Sequence, residues 1–343
     1  MLGKYRLALV TDAWSPQVNG VVNTYNNVIP LLEKRDVDVT VVEPSLFRTV
    51  RLPRYSEVRL AIDPVRTHRT LDHIGPDYVH IATEGPLGTV ARFWCGRRGF
   101  RFTTSYHTRF PEYVKEMYGF PSGPVTAYMR WFHGGGEHTL VPTPSVRDDL
   151  EESGFRNLVV WPRGVDSTLF HPLQRTEGWY EREDPYETAL VYVGRVSREK
   201  SVDEFCELAS LPGYRCWVVG DGPYREELEQ RYGERVTFVG FKRGRELAQF
   251  YASADVMVFP SRTDTFGNVI TESMACGTPV AAYPVAGPRD VIADGVSGAL
   301  DDDLAAAVTR ALACDREQVR EYSLKFSWET CAGILRDALT PVR

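Results

Sequence analysis

Two cations stand five positions apart in Val191-Tyr-Val-Gly194-Arg195-Val-Ser-Arg-Glu-Lys200-Ser201-Val-Asp-Glu204. An apolar run ends at Gly194, and Ser201 with Glu204 reads as a capping box that starts a helix at Ser201. Arg195 and Lys200 then lie between a strand end and a positive helix end, where backbone N–H groups lack partners. That combination suits a diphosphate. On this reading both cations are exposed to solvent until an anion arrives. The alternative is a pair of solvated surface charges.

Two carboxylates, Asp264 and Glu272, stand eight positions apart in Pro260-Ser-Arg-Thr-Asp264-Thr-Phe266-Gly267-Asn268-Val-Ile-Thr-Glu272-Ser-Met-Ala-Cys-Gly277-Thr-Pro279. Gly277 and Pro279 end a helix that begins near Gly267, so Asp264 falls in the loop at its positive end and Glu272 about a turn and a half inside. A carboxylate accepts two hydrogen bonds from vicinal hydroxyls, which fits a ribose or a hexose. A helix-end acid and a solvated Glu explain the same residues without a ligand. Thr11-Asp-Ala-Trp-Ser-Pro16-Gln-Val-Asn19-Gly20-Val-Val-Asn23 is the first strand-to-helix turn, and Gly20 there permits close approach of backbone to a phosphate or sugar. His107, in Thr104-Ser-Tyr106-His107-Thr108-Arg109-Phe110-Pro111, follows another strand end. It stands at the edge where open α/β sheets bind ligands, unless it is a satisfied core histidine.

Several chemistries are disfavoured. G-x-G-x-x-G is absent from the first turn and from Gly220-Asp221-Gly222-Pro223, which argues against hydride transfer with a dinucleotide. His133-Gly134-Gly135-Gly136 resembles an esterase oxyanion loop, but no G-x-S-x-G elbow accompanies it. The six cysteines are scattered without a C-x-x-C pair, so neither a zinc site nor a disulfide framework is expected. Asp36 with Asp38 leads into a strand and Asp301-Asp302-Asp303 caps a helix near Leu304, so no metal is expected at either.

The elements that position these residues are readable as apolar, β-branched runs alternating with helix-length segments. The runs are Leu7–Thr11, Val37–Val42, Tyr78–Ile81, Phe102–Ser105, Leu140–Pro142 and Leu158–Trp161, then Ala189–Val193, Cys216–Val219, Val236–Val239, Val256–Phe259 and Pro279–Ala282. Continuous apolar strands with intervening helices imply parallel sheets covered on both faces. The chain of 343 residues is long enough for two such α/β domains. The expected division is 1–172 for the first domain, a polar linker at 173–188, a second domain at 189–325, and a last helix within 326–343. That helix, Ser327 to Leu339, offers Trp328, Ile334, Leu335 and Leu339 for packing back on the first domain.

Charge divides unevenly. Residues 1–172 hold 20 basic and 18 acidic side chains (+2), the remainder 20 and 28 (−8), which together make the net −6. No strong basic stripe supports a nucleic-acid partner. Within the first half, however, Arg92-Phe-Trp-Cys-Gly-Arg97-Arg98-Gly-Phe100-Arg101 interleaves four arginines with three aromatics, and Arg48, Arg51, Arg54, Arg59, Arg66 and Arg69 face only Glu57 and Asp63. Arg109 and Lys115 add to the same half. This pattern suits an anionic lipid surface; solvated arginines around a core-packed Trp94 are the alternative. No apolar run approaches a membrane span and the first residues lack a secretory core, so the expected location is cytoplasmic, peripheral on the inner face of the cytoplasmic membrane.

Taken in order, the motifs resemble those of glycosyltransferase family 4, the nucleotide-sugar enzymes of the GT-B fold. The matching segments are the Gly20 loop, His107, Arg195 with Lys200, Gly220-Asp-Gly-Pro223, Phe238-Val-Gly240, the acid-x₇-acid segment, Arg163-Gly-Val-Asp166 and Phe170-His171-Pro172. His80-Ile-Ala-Thr-Glu-Gly-Pro-Leu-Gly88 and Tyr106-His107-Thr108 look similar to mannosyl-, sulfoquinovosyl- and glycolipid-forming members. The resemblance implies two Rossmann-like doubly wound domains facing a central cleft. It also implies a retaining hexosyltransferase that uses a UDP- or GDP-sugar and no metal or other cofactor. Arg195 and Lys200 would neutralise the diphosphate, and Glu272 would hold the ribose. Asp264, with the backbone of Phe266, Gly267 and Asn268, would hold the hexose. His107 would contact the sugar near the reacting face, Gly20 would let its loop close on the donor, and Val239, Gly240 and Phe241 would lie near the base. The family usually has Glu where Asp264 stands, and paired glycines where Asn19-Gly20 stands. A lipid acceptor such as diacylglycerol is favoured over a soluble glycan. A nucleotide-sugar epimerase or a non-catalytic binder on the same fold are the competing classes.

Overall fold

A computed structural model describes residues 5–17, 19–52, 55–108, 110, 121–176 and 187–343. It divides into two compact units, one of residues 1–163 and 328–343, the other of residues 164–327. The first unit therefore ends at Arg163, not at Pro172. The reason is packing: the Val165 N–H bonds to the Phe326 carbonyl, and Val165 and Phe170 are buried in the second unit's core. Most of the expected linker, residues 177–186, lies outside the described residues.

In the first unit the order is β1 (Tyr5–Val10), α1 (Gly20–Glu33), β2 (Val37–Val42), β3 (Thr49–Leu52), β4 (Tyr55–Ala61), α2 (Pro64–Ile74), β5 (Tyr78–Ile81), α3 (Pro86–Arg98), β6 (Thr103–Ser105), α4 (Ser122–His133), β7 (His138–Val141), α5 (Pro144–Glu152) and β8 (Leu158–Val160). Six parallel strands run β2-β1-β5-β6-β7-β8. Asn19 starts α1 by accepting the N–H groups of Val21 and Val22, both at 3.0 Å. Val22, Tyr25, Val28 and Leu32 then face inward at helical spacing. Strands β3 and β4 form a separate antiparallel pair. Sequence reading took this arginine-rich stretch only as charge, because its strands lack the apolar runs that mark a buried sheet.

The second unit contains β9 (Thr188–Val193), α6 (Val202–Leu208), β10 (Tyr214–Val219), α7 (Arg225–Tyr232), β11 (Val236–Gly240), α8 (Gly244–Ser253), β12 (Val256–Phe259), α9 (Asn268–Ala275), β13 (Val280–Ala282), α10 (Pro288–Val291), β14 (Gly298–Leu300), α11 (Leu304–Ala311) and α12 (Arg316–Ser323). Its parallel sheet runs β11-β10-β9-β12-β13-β14. Along β9, Val191 and Val193 enter one core layer and Leu190 and Tyr192 the other, so both faces are covered. The last helix, α13 (Trp328–Ala338), returns to the first unit and packs on α1. Its Trp328, Cys331, Ala332 and Leu335 share a core with Leu7, Tyr25 and Trp161, and Trp161 Nε1 donates to the Cys331 carbonyl at 2.8 Å. Among the described residues, no helix is long and apolar enough to cross a membrane.

Candidate functional site

In the second unit the strand order reverses between β9 and β12. Open α/β sheets bind ligands beyond the carboxyl ends of the strands at such a reversal. The loop after β9 carries Arg195 and Lys200, and the loop after β12 carries Asp264. The fold joins them: Lys200 Nζ donates to Asp264 Oδ1 at 2.6 Å, with each side chain about one-quarter exposed. The expectation of two solvent-exposed cations is thus corrected for Lys200, which already has a carboxylate partner. Arg195 is exposed.

Local chemistry holds both loops. Tyr192 Oη donates to the Arg195 carbonyl at 2.7 Å, and Thr263 Oγ1 donates to the Glu199 carbonyl at 3.3 Å. The expected capping box does not form. A short 3₁₀ turn, Arg198–Lys200, intervenes, and Ser201 adopts a left-handed conformation whose side chain caps nothing. The Glu204 N–H bonds instead to the Ser201 carbonyl. Its carboxylate is drawn across the sheet by Arg262 (3.0 Å) and the Tyr283 hydroxyl, which hold it below the usual carboxylate range. Arg262 and Tyr283 lie beyond β12 and β13, so nothing near Ser201 in the chain announces this competition.

Helix α9 starts at Asn268, with Gly267 left-handed just before it (φ 81°). A Cβ on Gly267 would come within 2.9 Å of Ile270. Phe266 is buried against Phe326. Glu272 accepts a hydrogen bond from Tyr251 Oη at 3.0 Å, and burial pushes its carboxyl up to about 7. Val239 and the left-handed Gly240 end β11, where the Gly240 carbonyl accepts the Gly220 N–H at 2.9 Å. Sequence reading missed Gly287. Its φ is 97°, and a Cβ there would lie 2.4 Å from the Asp264 carbonyl oxygen, so only glycine lets this turn support the Asp264 loop.

In the first unit Gly20 is the exposed first residue of α1. His107 follows β6 and belongs to a polar cluster that sequence reading did not anticipate. Its Nδ1 faces Arg163 Nη2 at 2.9 Å, and its Nε2 faces Tyr25 Oη at 3.4 Å. Tyr25 Oη also meets His80 Nε2 at 2.8 Å and Ser105 Oγ at 3.0 Å. Burial pushes His80 down to about 3 and, with the Arg163 charge, holds His107 well below the ordinary imidazole range. Both rings are therefore neutral at pH 7. The only sequence signal was the apolar spacing that buries Tyr25.

The neighbouring first turn is organised by Asp12. It accepts from the N–H groups of Leu87 (2.8 Å) and Gly88 (3.3 Å) and from Thr83 Oγ1 (2.9 Å), and burial raises its carboxyl to about 6. His133, set aside as an oxyanion-loop look-alike, is buried between Thr104 Oγ1 (2.9 Å) and Glu84 (3.2 Å). Asp303 caps α11. Among the described residues, no cluster of three or more His, Cys, Asp or Glu could hold a metal ion.

The basic aromatic segment on α3 is partly core. Trp94 is buried and its Nε1 donates to Asp72 (3.0 Å), which also pairs with Arg98. For Trp94 the alternative reading, a core-packed ring, holds. Phe93 and Trp131 remain exposed with ring centres 5.5 Å apart, and Arg92 stacks on Trp131 at 3.7 Å. Arg48, Arg51, Arg59, Arg66, Arg69, Arg97 and Arg101 are exposed. Arg54, Arg109 and Lys115 lie outside the described residues.

Comparison with known proteins adds the following. Residues 18–169 match the family model described as Glycosyltransferase Family 4, and residues 187–314 match that of Glycosyl transferases group 1. A GDP-mannose-dependent alpha-mannosyltransferase of Mycobacterium tuberculosis is 32% identical, over 86% of this chain and 83% of its own. A sulfoquinovosyl transferase of Arabidopsis thaliana is 31% identical, over 97% and 72%. An alpha-monoglucosyldiacylglycerol synthase of Streptococcus pneumoniae is 27% identical, over 90% and 78%. Among solved structures, a sucrose-phosphate synthase from Thermosynechococcus elongatus superposes with a TM-score of 0.78 at 21% identity, covering 97% of this chain and 98% of that one.

Proposed function

This chain belongs to glycosyltransferase family 4 and is a nucleotide-sugar-dependent glycosyltransferase of GT-B type; from that premise we propose that it moves a hexose from a UDP- or GDP-sugar to a hydroxyl of a membrane lipid, with retention at the anomeric carbon. The observation that carries the donor half is the joining of Lys200 to Asp264 at the point where the sheet order reverses. Lys200 and Arg195 neutralise the diphosphate and stabilise it as it leaves. These side chains supply the positive charge, and we assign no metal or other cofactor. Asp264 and the backbone of Phe266, Gly267 and Asn268 take the hexose, Glu272 takes the ribose, and Val239 and Gly240 lie near the base. His107 contacts the sugar, and Gly20 lets the loop before α1 approach the donor. The acceptor oxygen bonds to the anomeric carbon as the bond to the diphosphate oxygen breaks, and the departing phosphate takes the proton.

Two observations support a lipid acceptor. One is the pneumococcal relative, an alpha-monoglucosyldiacylglycerol synthase. The other is the exposed Phe93–Trp131 pair, with Arg92 stacked beside it and Arg97 one turn from Phe93 on α3. We assign the chain to peripheral attachment at the inner face of the cytoplasmic membrane. The test is incubation with radiolabelled UDP- and GDP-hexoses and a lipid extract. Label in the lipid fraction, with the donor's anomeric configuration kept, is expected. Label confined to soluble glycans, an epimerised free donor, or an inverted linkage overturns the reading.

A further inference from the structure

We infer that Arg163 is a positioning residue that holds the His107 ring in the tautomer carrying its proton on Nε2, which leaves His107 no lone pair to act as a base in the transfer. The inference rests on the assignment of His107 to the sugar made above. Arg163 is only 5% exposed. Its Nη1 donates to the Trp161 carbonyl at 2.7 Å, and its guanidinium carbon lies 4.5 Å from the centre of the Trp161 ring. Pinned on that side, it turns Nη2 to His107 Nδ1 at 2.9 Å. A guanidinium has five donors, no acceptor, and stays protonated in proteins, so the nitrogen it faces must offer a lone pair. The single ring proton of His107 is therefore on Nε2, the nitrogen facing Tyr25 Oη.

The surroundings oppose a second proton. Burial above all keeps the ring neutral, the Arg163 charge after β8 comes next, and His80 on β5 and His133 on α4 add smaller effects. Tyr25 on α1 stays protonated, because burial raises its hydroxyl beyond the usual phenol range. One chemical consequence is specific. With its lone pair turned to Arg163, His107 does not act as a general base toward the acceptor hydroxyl; toward the proposed sugar it offers only the Nε2 proton that Tyr25 Oη faces.

Nitrogen-15 NMR of the histidine rings in the whole chain reads the tautomer directly, with His107 identified by its loss in His107→Asn. Nδ1 unprotonated and Nε2 protonated, unchanged from about pH 5.5 to 8, is the expected result. A proton on Nδ1, or a ring titrating near the ordinary 6.5, overturns the inference. A second arm uses the same spectra on variants. Arg163→Met removes the donor that faces Nδ1 and should let the tautomer protonated on Nδ1 appear. Arg163→Lys keeps a charge and a donor and should restore the proton to Nε2. An unchanged tautomer in folded Arg163→Met also overturns the inference; should that variant not fold, the wild-type tautomer decides. If the tautomer is as expected but His107→Asn leaves KM and kcat unchanged, the sugar contact fails and the positioning role fails with it, although the ring remains locked.

Discussion

The roles proposed for Lys200, Arg195, Glu272 and Asp264 divide one donor molecule among them, and each assignment has a separable consequence. Removing one charge-assisted phosphate contact costs on the order of 2–4 kcal/mol of transition-state stabilisation, roughly 30- to 1,000-fold in rate. Lys200→Ala and Arg195→Ala should each show that loss in kcat/KM while remaining folded; near-normal values in both would remove the diphosphate assignment. Glu272→Gln should weaken binding of free UDP or GDP in calorimetric titration, whereas Asp264→Asn should leave free nucleotide bound and impair the sugar donor. Glu272 adds a pH signature. Its carboxyl sits at about 7 in the folded chain against an ordinary 4.5. Between these values the folded state keeps a proton that the unfolded state has released. The stability this contributes is present at low pH and is lost as pH rises through about 7. Glu272→Gln lacks the titration, so its Tm should fall less than that of the parent between pH 5 and 8. Equal falls in the two proteins would show that Glu272 is not the buried group responsible.

The loops owe their placement to elements that contact no ligand. Gly287, just before α10, is the clearest case, because its left-handed backbone lies against the Asp264 carbonyl. Gly287→Ala adds both a backbone strain and a collision that only movement of the Asp264 loop can relieve. We expect a loss of about 1–3 kcal/mol in stability and a raised donor KM, both measurable on the purified variant. An alanine variant with wild-type Tm and KM would mean that the turn relaxes elsewhere. The carboxylate of Glu204 acts at the same scale. Tied to Arg262 and Tyr283, it links α6 to the segments after β12 and β13, where its sequence position promised only a cap.

For the molecule as a whole, charge and apolar surface converge on the first unit. Its exposed arginines and the Phe93–Trp131 pair predict binding to anionic vesicles, at roughly 1 kcal/mol per cation near the surface. Co-sedimentation should be stronger with anionic than with neutral vesicles and should weaken at high salt. Phe93→Ala with Trp131→Ala should reduce it further without affecting free-nucleotide binding. Binding indifferent to lipid charge and to salt would dismiss the electrostatic basis.

Period and punctuation in the sequence determined the parallel α/β sheets, since strands buried on both faces must read as continuous apolar runs such as Val256–Phe259. They also determined the helix starts at Asn19 and Asp303, whose side chains reach only two or three residues ahead. Spacing alone put Arg195, Lys200 and Asp264 in loops after strand ends and Glu272 inside the following helix, and the expectation of ligand chemistry came from that placement. Tertiary structure alone decided the partners. Lys200 and Asp264 are 64 positions apart, Arg163 and His107 are 56 apart, and Trp94 is buried through a bond to Asp72, 22 residues earlier. It also decided that the first unit ends at Arg163 and regains α13. A local pattern encodes which face of an element is buried, but not which distant element covers it. That follows from strand order and crossover, and with it come the burial that raises the Glu272 carboxyl and the contact that turns Arg163 to His107.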